Sequence, residues 1–251
     1  MRNRSFTPPV AVFATAAILL STATMSTVHA ARQDSPATTP AGPAPRLPDG
    51  KPDMTGVWAA APDDATGLAE LDKLYTPAAR AKMQGLSDLD DPLYRCLPYG
   101  VPRNIVSSPN PFQIVQRPDM MVVLTEYYHG FRLIPTDGSP HPDAMLPTYF
   151  GDSAGRWEND TLVVDLAGFN DKTWLADARD RPTPDSPGVW MHSDALHVVE
   201  RWRMVDNDTI EYQAVVEDPE MLSGPWTTPM KILRRQPFKK IGEGMCFDTA
   251  S

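Results

Sequence analysis

Two neighbouring stretches decide the fold: Phe112-Gln113-Ile114-Val115-Gln116, then Met120-Met121-Val122-Val123-Leu124-Thr125-Glu126-Tyr127-Tyr128. Both are rich in β-branched and aromatic residues, and Pro118-Asp119 between them supplies turn chemistry. The pattern repeats downstream. Gly130 to Pro135 reads as a short strand closed by Asp137-Gly138. Gly155 to Glu158 and Thr161 to Leu166 flank Asn159-Asp160, a hairpin signal. Leu196 to Met204 and Thr209 to Val216 flank Asp206-Asn207-Asp208, and Thr227 to Arg235 adds a late strand. About eight short strands joined by tight turns predict an antiparallel barrel or sandwich. No helical pattern alternates with them, which argues against a parallel α/β fold.

Upstream of this meander the signals are different. Arg2 and Arg4, an apolar run from Val10 to Leu20, and the small-x-small site Val28-His29-Ala30 have the order of a cleavable secretory signal over residues 1–30. The apolar run is about half the roughly 20 residues a spanning helix needs, so membrane insertion is not expected after cleavage. Residues 31–53 hold Pro36, Pro40, Pro43, Pro45, Pro48 and Pro52 and read as a Pro-rich flexible linker. The single domain is then expected over 54–251. Within it, Thr76 to Met83 reads as a short helix, with Thr76 as cap and Pro77 in the first turn. Asp88 to Pro111 reads as an irregular arm, and residues 170–193 as a long loop or lid carrying Trp174 and Trp190.

Composition narrows the partners. Loss of a signal with its two arginines takes the formal charge from −9 to −11. Such acidity argues against nucleic acid and against anionic lipid surfaces. Cys96 and Cys246 both fall in the exported part, where disulfides persist. A bridge across so long a loop contributes roughly 5 kcal/mol in the chain-entropy model. The alternative is two free thiols.

The densest chemical cluster is His192-Ser193-Asp194 with His197, Glu200 and Arg201. Strand alternation sets His197 and Glu200 on opposite faces and leaves His192 at a loop-to-strand junction, suited to proton transfer. The bland reading is a polar strand end with a hydrogen-bonded histidine. A second cluster is Glu126, Tyr128, His129 and Arg132. On a regular strand Glu126 would follow the apolar face of Met120, Val122 and Leu124, which raises a carboxylate's pKa. A rim ion pair between Glu126 and Arg132 is the alternative. No spacing expected of a metal site, a nucleophile elbow or a phosphate-cradling loop occurs, so neither metal nor nucleotide cofactor is expected.

Gly56-Val57-Trp58 resembles the lipocalin and wider calycin start, in which the tryptophan closes one barrel end under an arginine from a late strand; Arg234 or Arg201 is the expected partner. A second resemblance runs from about residue 47 to the C-terminus. Its motifs are Leu47-Pro48-Asp49-Gly50-Lys51-Pro52-Asp53, Cys96-Leu97-Pro98, Gly155-Arg156-Trp157-Glu158, Asp160-Thr161-Leu162-Val163-Val164-Asp165, Gly168-Phe169-Asn170 and the stretch from His192 to Arg201. These are similar to a large family of mostly uncharacterised exported bacterial proteins, whose usual form is shorter across Arg179 to Val189. The resemblance implies export and a β fold.

The expectation is therefore a mainly β protein: an antiparallel calycin/lipocalin-like β-barrel with a short N-terminal helix and an irregular arm, periplasmic or secreted. Its barrel pocket would take a small apolar or aromatic molecule for cofactor-free isomerisation, elimination or hydrolysis. His192, Asp194, His129, Glu126 and Tyr128 are the expected catalytic residues. Arg132, Asp165, Trp174, Trp190 and His197 are expected to bind substrate. A lipocalin-like carrier without turnover and a structural or partner-binding envelope protein are the alternatives.

Overall fold

In the computed structural model, residues 42–61, 67–108, 110–177 and 188–244 are described, except for the side chain of His129. The expected signal peptide, residues 31–41 of the predicted linker, the middle of the 170–193 loop and Cys246 lie outside these residues.

The strands are β1 (Gly56–Ala60), β2 (Phe112–Arg117), β3 (Met120–Thr125), β4 (Phe131–Pro135), β5 (Asp152–Glu158), β6 (Thr161–Ala167), β7 (His197–Asp206), β8 (Thr209–Glu217), β9 (Trp226–Thr227) and β10 (Lys231–Arg235). They form one sheet in the order β4-β3-β2-β1-β10-β8-β7-β6-β5, with β9 on β8, and every hydrogen-bonded pair is antiparallel. The sheet curls until β4 meets β5, making a nearly closed antiparallel barrel, one of the two architectures the strand pattern predicts and calycin-like as the Gly56-Val57-Trp58 resemblance implies. Nine strands lie on this path, so β4 and β5, eight antiparallel steps apart, point the same way. Their seam lacks a ladder. It is held where the Gly138 N–H donates to the Gly155 carbonyl at 3.0 Å, with Gly155 pressed against the Pro135 carbonyl.

The period-2 alternation fills the lumen. Phe112 and Ile114, Met121 and Val123, Ile134, Leu162 and Val164, Val198 and Trp202, and Ile210 and Tyr212 are all essentially buried. Trp58 closes one end and is capped by a late-strand arginine, as the calycin start implies. The arginine is Arg235, 4.3 Å from the ring, not Arg234 or Arg201. Register decides this: Trp58 lies opposite Arg235, while Arg234 turns to Thr209 and Arg201 to Glu158 on the outer wall.

Helix α1 (Leu68–Leu74), which the sequence pattern does not announce, and α2 (Pro77–Met83) pack Leu68, Leu71, Ala79 and Met83 into the same core. Thr76 caps α2, its Oγ1 accepting from the Ala79 N–H at 3.1 Å. The arm folds into turns and a short helix α3 (Arg103–Val106), pinned by a buried bidentate ion pair between Arg103 and Asp91. Order also reaches further back than a flexible linker over 31–53 allows. Residues 45–53 form a tight turn, and Arg46 pairs with Asp160 across the β5–β6 hairpin. Hydrogen bonds inside the Leu47–Lys51 turn replace the solvated backbone that the prolines imply.

Candidate functional site

Glu200 on β7 points into the lumen, opposite in sense to His197, as alternation requires. Its carboxylate accepts from both terminal nitrogens of Arg132 on β4, at 3.0 and 2.7 Å. The Tyr212 hydroxyl donates to it at 2.7 Å and the Trp202 indole at 3.3 Å. Burial, reinforced by Glu200, raises the Tyr212 pKa well above its ordinary value. Arg132 thus spans the lumen as a structural strut and makes no rim pair with Glu126. The Trp202 and Tyr212 rings meet edge to face at 4.7 Å, with Phe112 against Trp202. These side chains occupy the space in which a lumenal ligand pocket is expected.

The expected catalytic residues do not converge. His192 is buried; its Nδ1 faces the Ser193 carbonyl at 2.8 Å and its Nε2 faces the Thr173 hydroxyl at 2.8 Å. A carbonyl only accepts, so Nδ1 carries the proton and Nε2 accepts from Thr173. Burial lowers this histidine's pKa, which keeps the ring neutral. It is the hydrogen-bonded structural histidine of the bland reading. Ser193 turns to Asp218, which accepts from its N–H and its hydroxyl. Asp194 is exposed in a turn, because β7 begins only at His197.

Glu126 and Tyr128 are displaced for a different reason. β3 stops at Thr125, Glu126 has helical φ/ψ, and Tyr128 sits at φ 58. Strand alternation therefore ends before either residue. The Glu126 carboxylate accepts from the Gly242 N–H at 2.7 Å, tying down the C-terminal segment. The Tyr128 hydroxyl donates to the Leu93 carbonyl. His129 lies in the same turn, its side chain outside the description. Trp174 and Trp190 are core residues: Trp174 bridges to Met191, and the Trp190 indole donates to the Asp177 carbonyl at 3.2 Å.

What the fold does assemble lies on the seam. Toward Pro135 and Gly155 the seam is shut; toward Phe131 it opens into a cleft of about 460 Å³. Tyr128, Phe131, Tyr149 and Phe150, with Pro98 and Leu133, give it a largely aromatic, apolar lining, and its polar residues include Arg132, Thr148, Asp152 and Ser153. Gly130 makes room for Phe150, whose ring lies where a side chain at 130 would begin. Phe131 and Leu133 are 61% and 55% exposed. Large apolar side chains this open, rimming a concavity, are features of binding surfaces.

Beside the cleft is a smaller cavity of about 310 Å³ lined by His141, Arg156 and Asp165. The Asp137–Gly138 turn, with Ser139 N–H on the Asp137 carboxylate, directs the following loop over β5 and β6 and delivers His141 there. His141 Nδ1 lies 2.6 Å from Asp152, and its Nε2 lies 3.0 Å from Asp165. Asp165 also meets His197 Nε2 at 3.2 Å, and His197 Nδ1 reaches Glu217 at 3.2 Å. Burial disfavours the charged form of His141, but its two carboxylate partners outweigh this and raise its pKa. Burial pushes Asp165 up, and hydrogen bonds from His141 and His197 bring it down to a net lowered pKa. Every ring nitrogen here faces a carboxylate oxygen rather than a shared central point. Among the described residues no three His, Cys, Asp or Glu side chains converge as metal ligands. Of the expected substrate-binding residues, Asp165 and His197 come together here and Arg132 borders the cleft. No sequence signal selects His141: it stands alone in a Pro-rich loop, and only the fold brings it to Asp165.

A further concavity of about 460 Å³ lies at the end of α2, lined among the described residues by Arg80, Ala81, Met83, Gln84, Gly85 and Leu86. No protein-family model, curated protein or solved structure matches this chain.

Proposed function

We propose that this protein binds a small, largely apolar, aromatic molecule in the cleft between β4 and β5, on the outside of a filled barrel. The observation that carries the reading is the exposed aromatic lining of the cleft, with Phe131 and Leu133 held open beside Tyr149 and Phe150. Burying such a ring against this wall stabilises the complex by roughly 25 cal/mol per Å² of apolar area removed from water. Phe131→Ser tests the reading, since an exposed side chain can be truncated with little effect on the fold. Calorimetric titration with a panel of monocyclic aromatics is expected to give at least tenfold weaker binding in the variant at an unchanged melting temperature. Undiminished binding by the variant, or no binding by the wild type, overturns the proposal.

A second reading has one specific support, the His141 link between Asp152 on the cleft wall and Asp165. It is cofactor-free acid–base turnover of the bound molecule, of isomerase, lyase or hydrolase type, with Asp152 and His141 moving the proton. Under this reading His141→Gln keeps binding and loses turnover; full turnover by that variant removes it. Export, cleavage near residue 30 and membership of the exported bacterial family belong to the same proposal, and rest on the sequence motifs. N-terminal sequencing of the protein recovered from the periplasm or medium tests the cleavage.

A further inference from the structure

The cleft is bounded by main chain as well as by aromatic rings. The Thr125 N–H donates to the Gly130 carbonyl at 2.8 Å and the Thr136 N–H to the Asp119 carbonyl at 3.0 Å, in the register that sets Val123 opposite Arg132 and Met121 opposite Ile134. Hydrogen-bonded and non-hydrogen-bonded pairs alternate along an antiparallel ladder. Gly130, Arg132 and Ile134 therefore turn their N–H and carbonyl groups to β3, and Phe131, Leu133 and Pro135 face the seam. The Pro135 carbonyl accordingly lies against Gly155 of β5. Where the seam opens, Phe131 and Leu133 have no such neighbour. Among the described residues no hydrogen bond reaches the N–H or carbonyl of either. Both residues are exposed and line the cleft. Gly130, Arg132 and Gly151 line it too, two without side chains and one with its side chain in the lumen, so main chain forms that part of the wall. An unpaired strand edge is a template for another extended segment.

We propose that the aromatic molecule held in the cleft carries a secondary amide, as an aromatic residue of a short extended peptide does, and that this residue pairs with Leu133 along the β4 edge. This rests on the cleft reading above and names the class of molecule. The ligand N–H donates to the Leu133 carbonyl, and the ligand carbonyl accepts from the Leu133 N–H, the exchange made by a hydrogen-bonded antiparallel pair. Side chains of residues paired in this way share a face, so the ring lies beside Leu133 and Phe131, against Tyr149 and Phe150. Direction is set as well: β4 and β5 point the same way, so a segment antiparallel to one is antiparallel to the other. The next residue of such a peptide faces the lumen, which Arg132 and Glu200 fill, so it must be small. The segment is also short, because Pro135 has no N–H and its carbonyl already meets Gly155. Asp152 contributes a carboxylate to the lining, which suits an uncharged peptide group and disfavours a free C-terminus.

The test is a matched set of probes titrated into the wild-type protein: N-acetyl-phenylalanine N-methylamide, its ester analogue with oxygen in place of the phenylalanine N–H, and propylbenzene. The amide is expected to bind about tenfold more tightly than the ester, which leaves the Leu133 carbonyl without a donor, and propylbenzene is expected to bind most weakly. Hydrogen exchange at the Leu133 N–H, followed by NMR in leucine-labelled protein, should slow at least about tenfold with the amide bound and stay unchanged with propylbenzene. The Leu133 peak is assigned by its absence in Leu133→Val. Equal or tighter binding of the ester, or an unprotected Leu133 N–H in the amide complex, overturns this proposal and leaves the cleft reading standing. So does binding of propylbenzene with no binding of the amide. Failure of all three probes to bind overturns the cleft reading itself and this proposal with it. The affinity comparison needs no variant, so the proposal can be refuted even if Leu133→Val misfolds.

Discussion

At the residue scale the molecule places its charges in two regimes. In the lumen, Glu200 is surrounded by four donor atoms from Arg132, Tyr212 and Trp202. Removing one partner of such a buried pair costs about 3–5 kcal/mol, whereas replacing both by apolar residues of similar volume is often neutral. Glu200→Ala is therefore expected to lose that much in chemical denaturation, and Arg132→Met combined with Glu200→Leu to recover most of it. On the outer wall the His141 and Asp165 carboxylate–imidazole links are only partly buried and respond to pH instead. The raised His141 pKa stabilises the fold fully below its ordinary value of 6.5, and this contribution is lost as pH rises through the folded-state value. The lowered Asp165 pKa acts in the other direction, present above 3.8 and lost as pH falls through its folded-state value. Melting temperature measured against pH is expected to decline on the alkaline side of 6.5, and His141→Gln to flatten that decline.

Elements are legible where one period holds over a whole strand. β2, β3 and β7 follow alternation, as does β8 from Ile210, and the turns after β2, β5 and β7 sit at the Pro-Asp, Asn-Asp and Asp-Asn-Asp signals. Legibility fails where β propensity outruns geometry. Tyr127 and Tyr128 favour strands in composition, yet they form the turn that ends β3, and the site inferred from their alternation dissolves with it. Likewise Trp174 and Trp190 resemble lid residues in sequence because core and ligand contact use the same side chains. His141 is unreadable for the opposite reason: its partners are 11 and 24 residues away, on separate strands. At this scale the seam is the sensitive joint. A methyl group at Gly155 would run into the Pro135 carbonyl, so Gly155→Ala is expected to cost about 1–3 kcal/mol. Gly224, with open space around it, provides the control: Gly224→Ala should change stability by no more than about 0.5 kcal/mol. Both are read from denaturant midpoints.

At the scale of the whole molecule, the two chain ends of the domain are drawn onto the barrel. The Gly42 carbonyl accepts from Asn207, and Gly242 and Gly244 donate to Glu126. The latter contact carries the C-terminal segment to the turn of Tyr128, whose hydroxyl reaches Leu93 in the turn that ends at Cys96. Cys246 follows two residues after Gly244. A Cys96–Cys246 bridge is the expected outcome, checked by a non-reducing peptide map of the purified protein; alkylation of both thiols in the native state would exclude it. The barrel itself imposes something broader. A ring of nine arrows that alternate in direction must contain one like-pointing pair, as an odd ring of alternating spins must contain one frustrated bond. No side-chain substitution removes that mismatch, because it belongs to parity and not to chemistry. Mutations can reshape or refill the opening beside β4, but moving it elsewhere on the barrel would take the gain or loss of an entire strand.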